Sequence, residues 1–175
     1  MDFALLAPVL VLLMLATTDL VQFLRIKLRL DEVATAMASL VTQNQNLYAS
    51  DFPIFFTDAQ TMAGAVSVTG DLGATIISGI VNSNGAAIVA WQQKSPGNNT
   101  FTSQIGAAGG AATLPGQYTL PAGESLVAVE AYTSATVWVL SARLMGGPGS
   151  TSLRSYAVYQ PRSVLLSQIN SGQRP

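Results

Sequence analysis

The chain contains no cysteine and no histidine, and it carries few charges of either sign. Without these two residue types it lacks the thiolate nucleophile, the usual general base near neutral pH and the commonest transition-metal ligands. Zinc sites and Ser-His-Asp or Cys-His catalysis are therefore excluded, and we expect no enzymatic activity, no cofactor and no small-molecule substrate. The eight basic and nine acidic residues offer no polycationic surface, which disfavours nucleic-acid binding.

Apolar residues are abundant instead, and they are concentrated at the front of the chain. Charged residues make up 10% of the 175 residues, against roughly 25% in soluble domains. Residues 3–24 are almost entirely apolar. At about 1.5 Å per residue, a helix over these 22 residues is roughly 33 Å long, enough to cross a hydrocarbon core of about 30 Å. We therefore predict a transmembrane helix over residues 1–24, with the carboxylate of Asp19 inside it.

A signal peptide and a buried core helix are the alternatives to a membrane span here. A secretory signal peptide normally has a positive region first, whereas this chain begins Met1-Asp2 and has no cation before Arg25. A buried core helix remains an alternative, because the strictly apolar run of residues 3–16 has a length that occurs in both core and membrane helices.

The helical pattern continues beyond the predicted span. Apolar residues recur at a period near 3.5 and face one side: Phe23, Ile26, Leu30, Val33, Met37 and Leu40. One continuous helix to about Asn46 is expected, so that residues 25–48 form an extension whose apolar seam packs against other helices or against the chain's own domain. Asp19 lies on the same face, and a charge within a membrane usually marks a partner or a function.

Three cations follow the span directly: Arg25, Lys27 and Arg29. By the positive-inside tendency they place the C-terminal part of the chain in the cytoplasm. Residues upstream of Met1 in a native precursor would also count toward this charge balance, so the three cations alone do not decide the orientation.

Residues 49–175 are predicted to form a β-rich head of low charge. Residues 33–175 hold five acids and five bases, so the surface must consist mainly of uncharged polar groups. A short helix is expected over residues 58–65, with Thr57 or Asp58 as its N-cap. The β-branched runs 74–81 and 86–93 flank an Asn-Ser-Asn-Gly turn and indicate a hairpin. Further strands are predicted over residues 125–132, 135–142 and 153–159, the last ended by Pro161.

Few residues of the head suggest chemistry. Glu124 and Glu130 are six residues apart, about 20 Å along a strand, whereas paired catalytic carboxylates of glycosidases are roughly 5 to 9.5 Å apart. We therefore interpret both as exposed strand charges. Residues 106–110 lack the Lys-Ser/Thr of a phosphate loop and indicate an exposed or flexible loop. Trp91 is expected in the core.

The order of these parts resembles the TadE-type minor pilins, or pseudopilins, of the bacterial tight-adherence (Flp) pilus system. The segment Asp2-Phe3-Ala4-Leu5-Leu6-Ala7-Pro8 and the acidic Asp19 match that family's N-terminal pattern. In the head the similarity lies in residues 77–81, the turn at Gly85, residues 89–91, residues 120–132 and the closing Tyr159-Gln160-Pro161-Arg162. The sequence departs from the family where Asp2 replaces the usual glutamate and where no glycine precedes it.

The resemblance implies an α+β, pilin-like fold in which a long transmembrane and amphipathic helix packs on a small antiparallel sheet. It further implies a single-pass protein of the bacterial inner membrane with its head in the periplasm, or in the extracellular pilus. Its partners would be other pilin subunits, the assembly platform, membrane lipid and a prepilin peptidase that removes a basic leader. If Asp2 is the fifth mature residue, the mature chain begins three residues before Met1.

In such a protein Asp2 would meet the terminal amine of an adjacent subunit, and Asp2, Phe3, Pro8 and Asp19 would carry the assembly contacts. The expected role is in the assembly, initiation or capping of an adhesive pilus. The alternative is a membrane-anchored periplasmic or surface adhesin that never enters a filament.

Overall fold

The fold consists of one long helix and a small antiparallel sheet. The computed structural model describes residues 2–83, 85–114, 116, 118–136, 150–162 and 166–171, with side chains from residue 6 onward. Within these residues there are two α-helices, α1 (Asp2–Thr42) and α2 (Phe52–Ala63). The strands are β1 (Gly73–Ser83), β2 (Ala86–Lys94), β3 (Ser125–Ala135) and β4 (Thr151–Tyr159). The predicted α+β layout, with a long apolar N-terminal helix, is confirmed.

Helix α1 is unbroken from the predicted span into the amphipathic extension. Its 41 residues correspond to about 62 Å at 1.5 Å per residue. It ends at Thr42 rather than near Asn46, because side chains there take the carbonyls that a further turn would use. The Thr42 hydroxyl donates to Ser39 O at 3.0 Å, and Asn44 Nδ2 donates to Leu40 O at 3.0 Å.

Helix α2 starts earlier than predicted. It begins at Phe52, directly after a short 3-10 helix over Ala49–Asp51, and the expected N-caps Thr57 and Asp58 lie in its middle. Pro53 occupies its first turn, where the missing N–H would have had no partner in any case. The Thr57 hydroxyl donates back to Pro53 O at 2.9 Å instead of capping the helix. The prediction of a helix over residues 58–65 was therefore wrong at its start.

The four described strands form one sheet in the order β2-β1-β3-β4, with every neighbouring pair antiparallel. The predicted hairpin across Gly85 is confirmed as β1 and β2, with a bulge after Gly79. The predicted strands 125–132 and 153–159 are confirmed as parts of β3 and β4. The predicted strand 135–142 begins at the last residue of β3, and its residues 137–142 lie outside the described part of the chain.

The sheet is the middle of three layers. On one face Ile77, Val127 and Val129 pack in the same core as Leu30 and Met37 of α1. Helix α2 completes this core with Phe52, Phe55, Phe56, Ala59 and Ala63. On the other face a second cluster contains Ile80, Val89 and Leu126 of the strands together with Ile105 and Leu120 of the long connection between β2 and β3.

Trp91 joins the sheet to α2, which confirms its expected place in the core. The side chain is 7% exposed, its ring meets Phe52 edge-on at 5.8 Å, and its Nε1 donates to Leu166 O at 2.7 Å. Gly79 stands opposite it in the register. A β-carbon at Gly79 would lie 2.2 Å from the indole ring, so only glycine fits there.

The connection between β2 and β3 is ordered by contacts with the strands. Within residues 106–110, Gly109 N–H donates to Val89 O at 2.7 Å, and Val89 N–H donates to Gly110 O at 2.9 Å. Ala112 N–H donates to Ala87 O at 2.8 Å. The segment is exposed as predicted, but it covers part of the outer edge of β2, where unpaired backbone groups would otherwise face solvent.

Candidate functional site

The N-terminal half of α1 exposes apolar side chains on all its sides. We call residues 6–24 the apolar stalk. Ten of its large apolar side chains are between 40% and 75% exposed: Leu6, Val9, Leu10, Val11, Leu12, Leu13, Met14, Leu20, Val21 and Leu24. Among the described residues α1 is the one helix that is long and apolar enough to cross a membrane, with a mean hydropathy of 1.9 in its most apolar window.

Two hydroxyl groups within the apolar stalk are satisfied by carbonyls of the same helix. The Thr17 hydroxyl donates to Leu13 O at 2.7 Å, and the Thr18 hydroxyl donates to Met14 O at 2.9 Å. Such bonds remove the cost of placing a hydroxyl in an apolar medium. Asp19 is fully buried although the residues beside it in sequence are exposed, and it has an interaction partner.

The other predicted assembly residues lie at the far end of this helix. Pro8 is inside α1 and exposed. The side chains of Asp2 and Phe3 fall outside what the structure describes, so their contacts stay predictions.

The residues of the predicted seam lie where α1 changes from an exposed helix to one that packs on the sheet. Leu30, Val33 and Met37 are 0% exposed and lie between α1 and the sheet. Phe23, Ile26 and Leu40 are partly buried against the same core. The seam therefore packs against the chain's own head, partly at Phe23 and Ile26 and fully from Leu30, while the rest of the apolar stalk continues beyond it.

A polar joint fixes the rotation of α1 over β4. We call Lys27, Asp31, Arg154 and Ser155 the stalk-head joint. Lys27 Nζ donates to the backbone carbonyl of Arg154 at 2.7 Å and lies 3.4 Å from Asp31 Oδ1. The Ser155 hydroxyl donates to the same Asp31 oxygen. Because these bonds are directional, they hold the helix at one height and one rotation relative to the sheet.

A buried carboxylate lies on the opposite face of the sheet. Glu130 has a fully buried side chain and pairs with Arg154, whose Nη2 and Nε lie 2.7 and 2.9 Å from Glu130 Oε1. Gln104 N–H donates to the same oxygen at 3.1 Å, and the Ser103 hydroxyl donates to Oε2. The interpretation of Glu130 as an exposed strand charge was wrong: it anchors the β2-β3 connection to the sheet. Glu124 is half-buried and precedes β3.

Tyr132 belongs to the same cluster. Its hydroxyl lies 2.8 Å from Glu130 Oε1 and 2.9 Å from Thr102 O, so one proton is shared between two acceptors. Burial, the hydrogen bond to Glu130 and the charge of that carboxylate together raise the pKa of Tyr132 to about 12. We call Glu130, Arg154, Tyr132 and Ser103 the Glu130 cluster. Its hydrogen bonds and ion pair join the β2-β3 connection to β3 and β4, and we interpret the cluster as a structural clamp.

Arg154 connects the two polar sites. Its backbone carbonyl accepts from Lys27 on the helix face, while its guanidinium reaches Glu130 on the other face. Sequence reasoning missed Arg154 and Asp31. The spacing of four between Lys27 and Asp31 and the spacing of two between Glu130 and Tyr132 were visible signals of shared faces.

A groove of about 800 Å³ opens between α2 and the end of β2. Aromatic and aliphatic groups from Phe52, Pro53, Phe56 and Pro96 meet the polar side chains of Gln60 and Lys94 there. Among the described residues no group of three or more acidic side chains is placed to hold a metal ion.

Comparisons with protein-family models, with curated proteins and with solved structures returned no match to this chain.

Proposed function

We propose that this chain is a single-pass membrane protein that acts as a minor pilin, taking part in the assembly, initiation or capping of an adhesive pilus. In this proposal the head lies in the periplasm until the subunit joins a filament. The partners are other pilin subunits and the inner-membrane assembly platform, and a prepilin peptidase processes the precursor.

The observation that carries the proposal is the division of α1 into two halves with different surroundings. The helix packs on its own head, fully from Leu30 and partly at Phe23 and Ile26, whereas the ten large side chains of the apolar stalk stay exposed. Burying a large aliphatic side chain fully contributes about 1.5 to 3 kcal/mol. With roughly half of each still exposed, covering all ten would contribute on the order of 10 kcal/mol. A helix with this surface requires lipid or other helices around it.

The same surface suits both states that a pilin subunit passes through. In the membrane it faces acyl chains, and in a filament it faces the helices of neighbouring subunits. Lipid is as apolar as leucine, so the transfer between these states gains little from the hydrophobic effect and depends on packing and polar pairing. The expected pairing of Asp2 with a neighbour's terminal amine would favour the filament, because an ion pair in an apolar medium is favourable only when both partners are present.

Two of the three cations after the apolar stalk make contacts within the folded protein. Lys27 donates to the head at Arg154 O, and Arg29 Nη1 donates to Glu32 Oε2 at 2.7 Å. These contacts are a reason for the presence of Lys27 and Arg29 that is independent of membrane topology.

Protease treatment of spheroplasts tests the orientation of the protein in the membrane. We expect the head to be digested, and a protected head would contradict a periplasmic location.

Site-specific photo-cross-linking tests membership of a filament. A photoreactive amino acid replaces Leu13, which is 59% exposed in the apolar stalk, or Ile54, which is 61% exposed on the head. Both variants are made as the full chain in the native cells, and adducts are identified by mass. We expect the Leu13 variant to cross-link to other pilin subunits in the sheared filament fraction, and the Ile54 variant to do so far less.

The outcomes separate the two functions. Adducts between the Leu13 position and pilin subunits support incorporation into a filament. Adducts to lipid alone, with no chain in the filament fraction, would overturn the proposal in favour of a membrane-anchored adhesin.

A further inference from the structure

A shallow notch lies beside α1 just beyond the apolar stalk, between this helix and the end of α2. Its volume is about 350 Å³. We call it the arginine notch, and its lining residues are Arg25, Ile26, Arg29, Ala63, Ala65 and Val66.

Two guanidinium groups form the charged side of the notch. Arg25 and Arg29 are four residues apart in α1, so they share one face of the helix. Arg25 forms no ion pair among the described residues. Arg29 Nη1 is engaged by Glu32, but a β-carbon built at Gly64 would lie 3.8 Å from Nη2, so this second nitrogen faces the turn after α2. The notch thus offers one cation without an ion-pair partner in the described part of the chain and further donors from another.

The remaining lining of the notch is apolar. Ile26 and Val66 are partly buried against the main core, and Ala63 is 2% exposed. A ligand that fits both sides has an anionic group for the arginines and a small apolar part against these side chains. Guanidinium groups match phosphate oxygens in geometry and charge.

The position of the notch along α1 identifies the source of that phosphate. The predicted span, residues 3–24, is about 33 Å of helix, which is enough to cross a hydrocarbon core of about 30 Å. Each headgroup layer beyond the core is roughly 5 to 7 Å thick. Arg25 directly follows the stalk and Arg29 lies about 6 Å further along the axis, so both fall within the layer of lipid phosphates.

We propose that the arginine notch binds the phosphate of an anionic phospholipid, whose acyl chains run along the apolar stalk. This inference rests on the membrane anchoring in the proposed function and not on incorporation into a filament. The bound lipid would draw the end of α2 against the membrane surface and so fix how the head is tilted over it.

Native mass spectrometry of the full chain tests the proposal. The protein is reconstituted into nanodiscs of phosphatidylcholine with one fifth phosphatidylglycerol, released, and the retained lipids are identified. We expect the wild type to retain phosphatidylglycerol beyond its share in the nanodisc. Arg25→Ala should reduce this preference about fivefold, and Arg25→Ala with Arg29→Ala should reduce it further. Glu32→Gln should raise it, because the substitution removes the anion that competes for Arg29.

Arg162→Ala is the matched control, since Arg162 lies in the chain segment after β4, away from the notch. It should retain phosphatidylglycerol as the wild type does. Equal retention by wild type and Arg25→Ala, or an equal loss in Arg162→Ala, would overturn the proposal. If cross-linking to pilin subunits fails while the Arg25-dependent preference for phosphatidylglycerol persists, that result would support the lipid site and contradict incorporation into a filament.

Discussion

Replacing Arg154 with methionine removes the cation that balances the buried carboxylate of Glu130. The substitution preserves most of the side-chain stem and leaves the backbone carbonyl that accepts from Lys27. Taking away one partner of a buried ion pair costs about 3 to 5 kcal/mol, because the remaining charge stays buried without compensation.

Two features of the structure lower this cost. The Arg154 side chain is 24% exposed, so solvent already screens part of the attraction. Glu130 also keeps the donors of Ser103, Gln104 and Tyr132. We therefore expect Arg154→Met to lower the free energy of unfolding by about 2 to 3 kcal/mol. For a chain of this size that corresponds to a melting temperature lower by roughly 4 to 12 °C.

Unfolding of the full chain in detergent micelles, followed by circular dichroism in urea and on heating, measures this effect. Glu130→Gln and the double variant complete a double-mutant cycle, and we expect a coupling of about 1 to 2 kcal/mol between the two positions. Arg162→Met is the control, because Arg162 is exposed. A change below about 0.5 kcal/mol in Arg154→Met, the size typical of surface substitutions, would refute the clamp role of the Glu130 cluster.

Three further predictions use the same unfolding assays. Gly79→Ala places a β-carbon 2.2 Å from the Trp91 ring and should cost about 3 kcal/mol; wild-type stability would contradict the close packing. Met37→Ala should cost about 2 to 5 kcal/mol, whereas Leu28→Ala, at a side chain 66% exposed, should cost little. Because the folded pKa of Tyr132 is raised from 10 to about 12, stability should fall as the pH rises from 10 to 12, and less steeply in Tyr132→Phe.

The elements of the fold were predictable where a local pattern decides the structure. The 3.5-residue spacing from Phe23 to Leu40 and the unbroken apolar run before it identify α1. The β-branched runs on both sides of the turn at Gly85 identify the hairpin. The start of α2 was not predicted, because Pro53 lies next to Phe52 and proline often marks a loop. The helical spacing of Phe52, Phe55 and Phe56 indicates a helix only once these side chains are known to share a buried face.

The polar contacts were less predictable, because they join distant parts of the chain. Glu130 is an ordinary strand charge by its sequence, and it becomes a buried anchor because β4 brings Arg154 beside it and the β2-β3 connection brings Ser103 over it. No spacing in the sequence relates these three residues. Asp31 and Ser155 are likewise separated by 124 positions in the sequence, and no periodic pattern predicts their hydrogen bond.

The absence of histidine and cysteine by itself excluded zinc sites built from these residues and catalysis of the Ser-His-Asp and Cys-His kinds. The apolar run and the seam by themselves predicted one long continuous helix, because hydrophobic periodicity is a local property of the chain. Only the tertiary structure decided which cations contact the head, which line the notch at the end of α2, and which carboxylate is buried. These outcomes depend on desolvation and pairing between elements, and both arise only when the sheet, the helices and the connection are packed together.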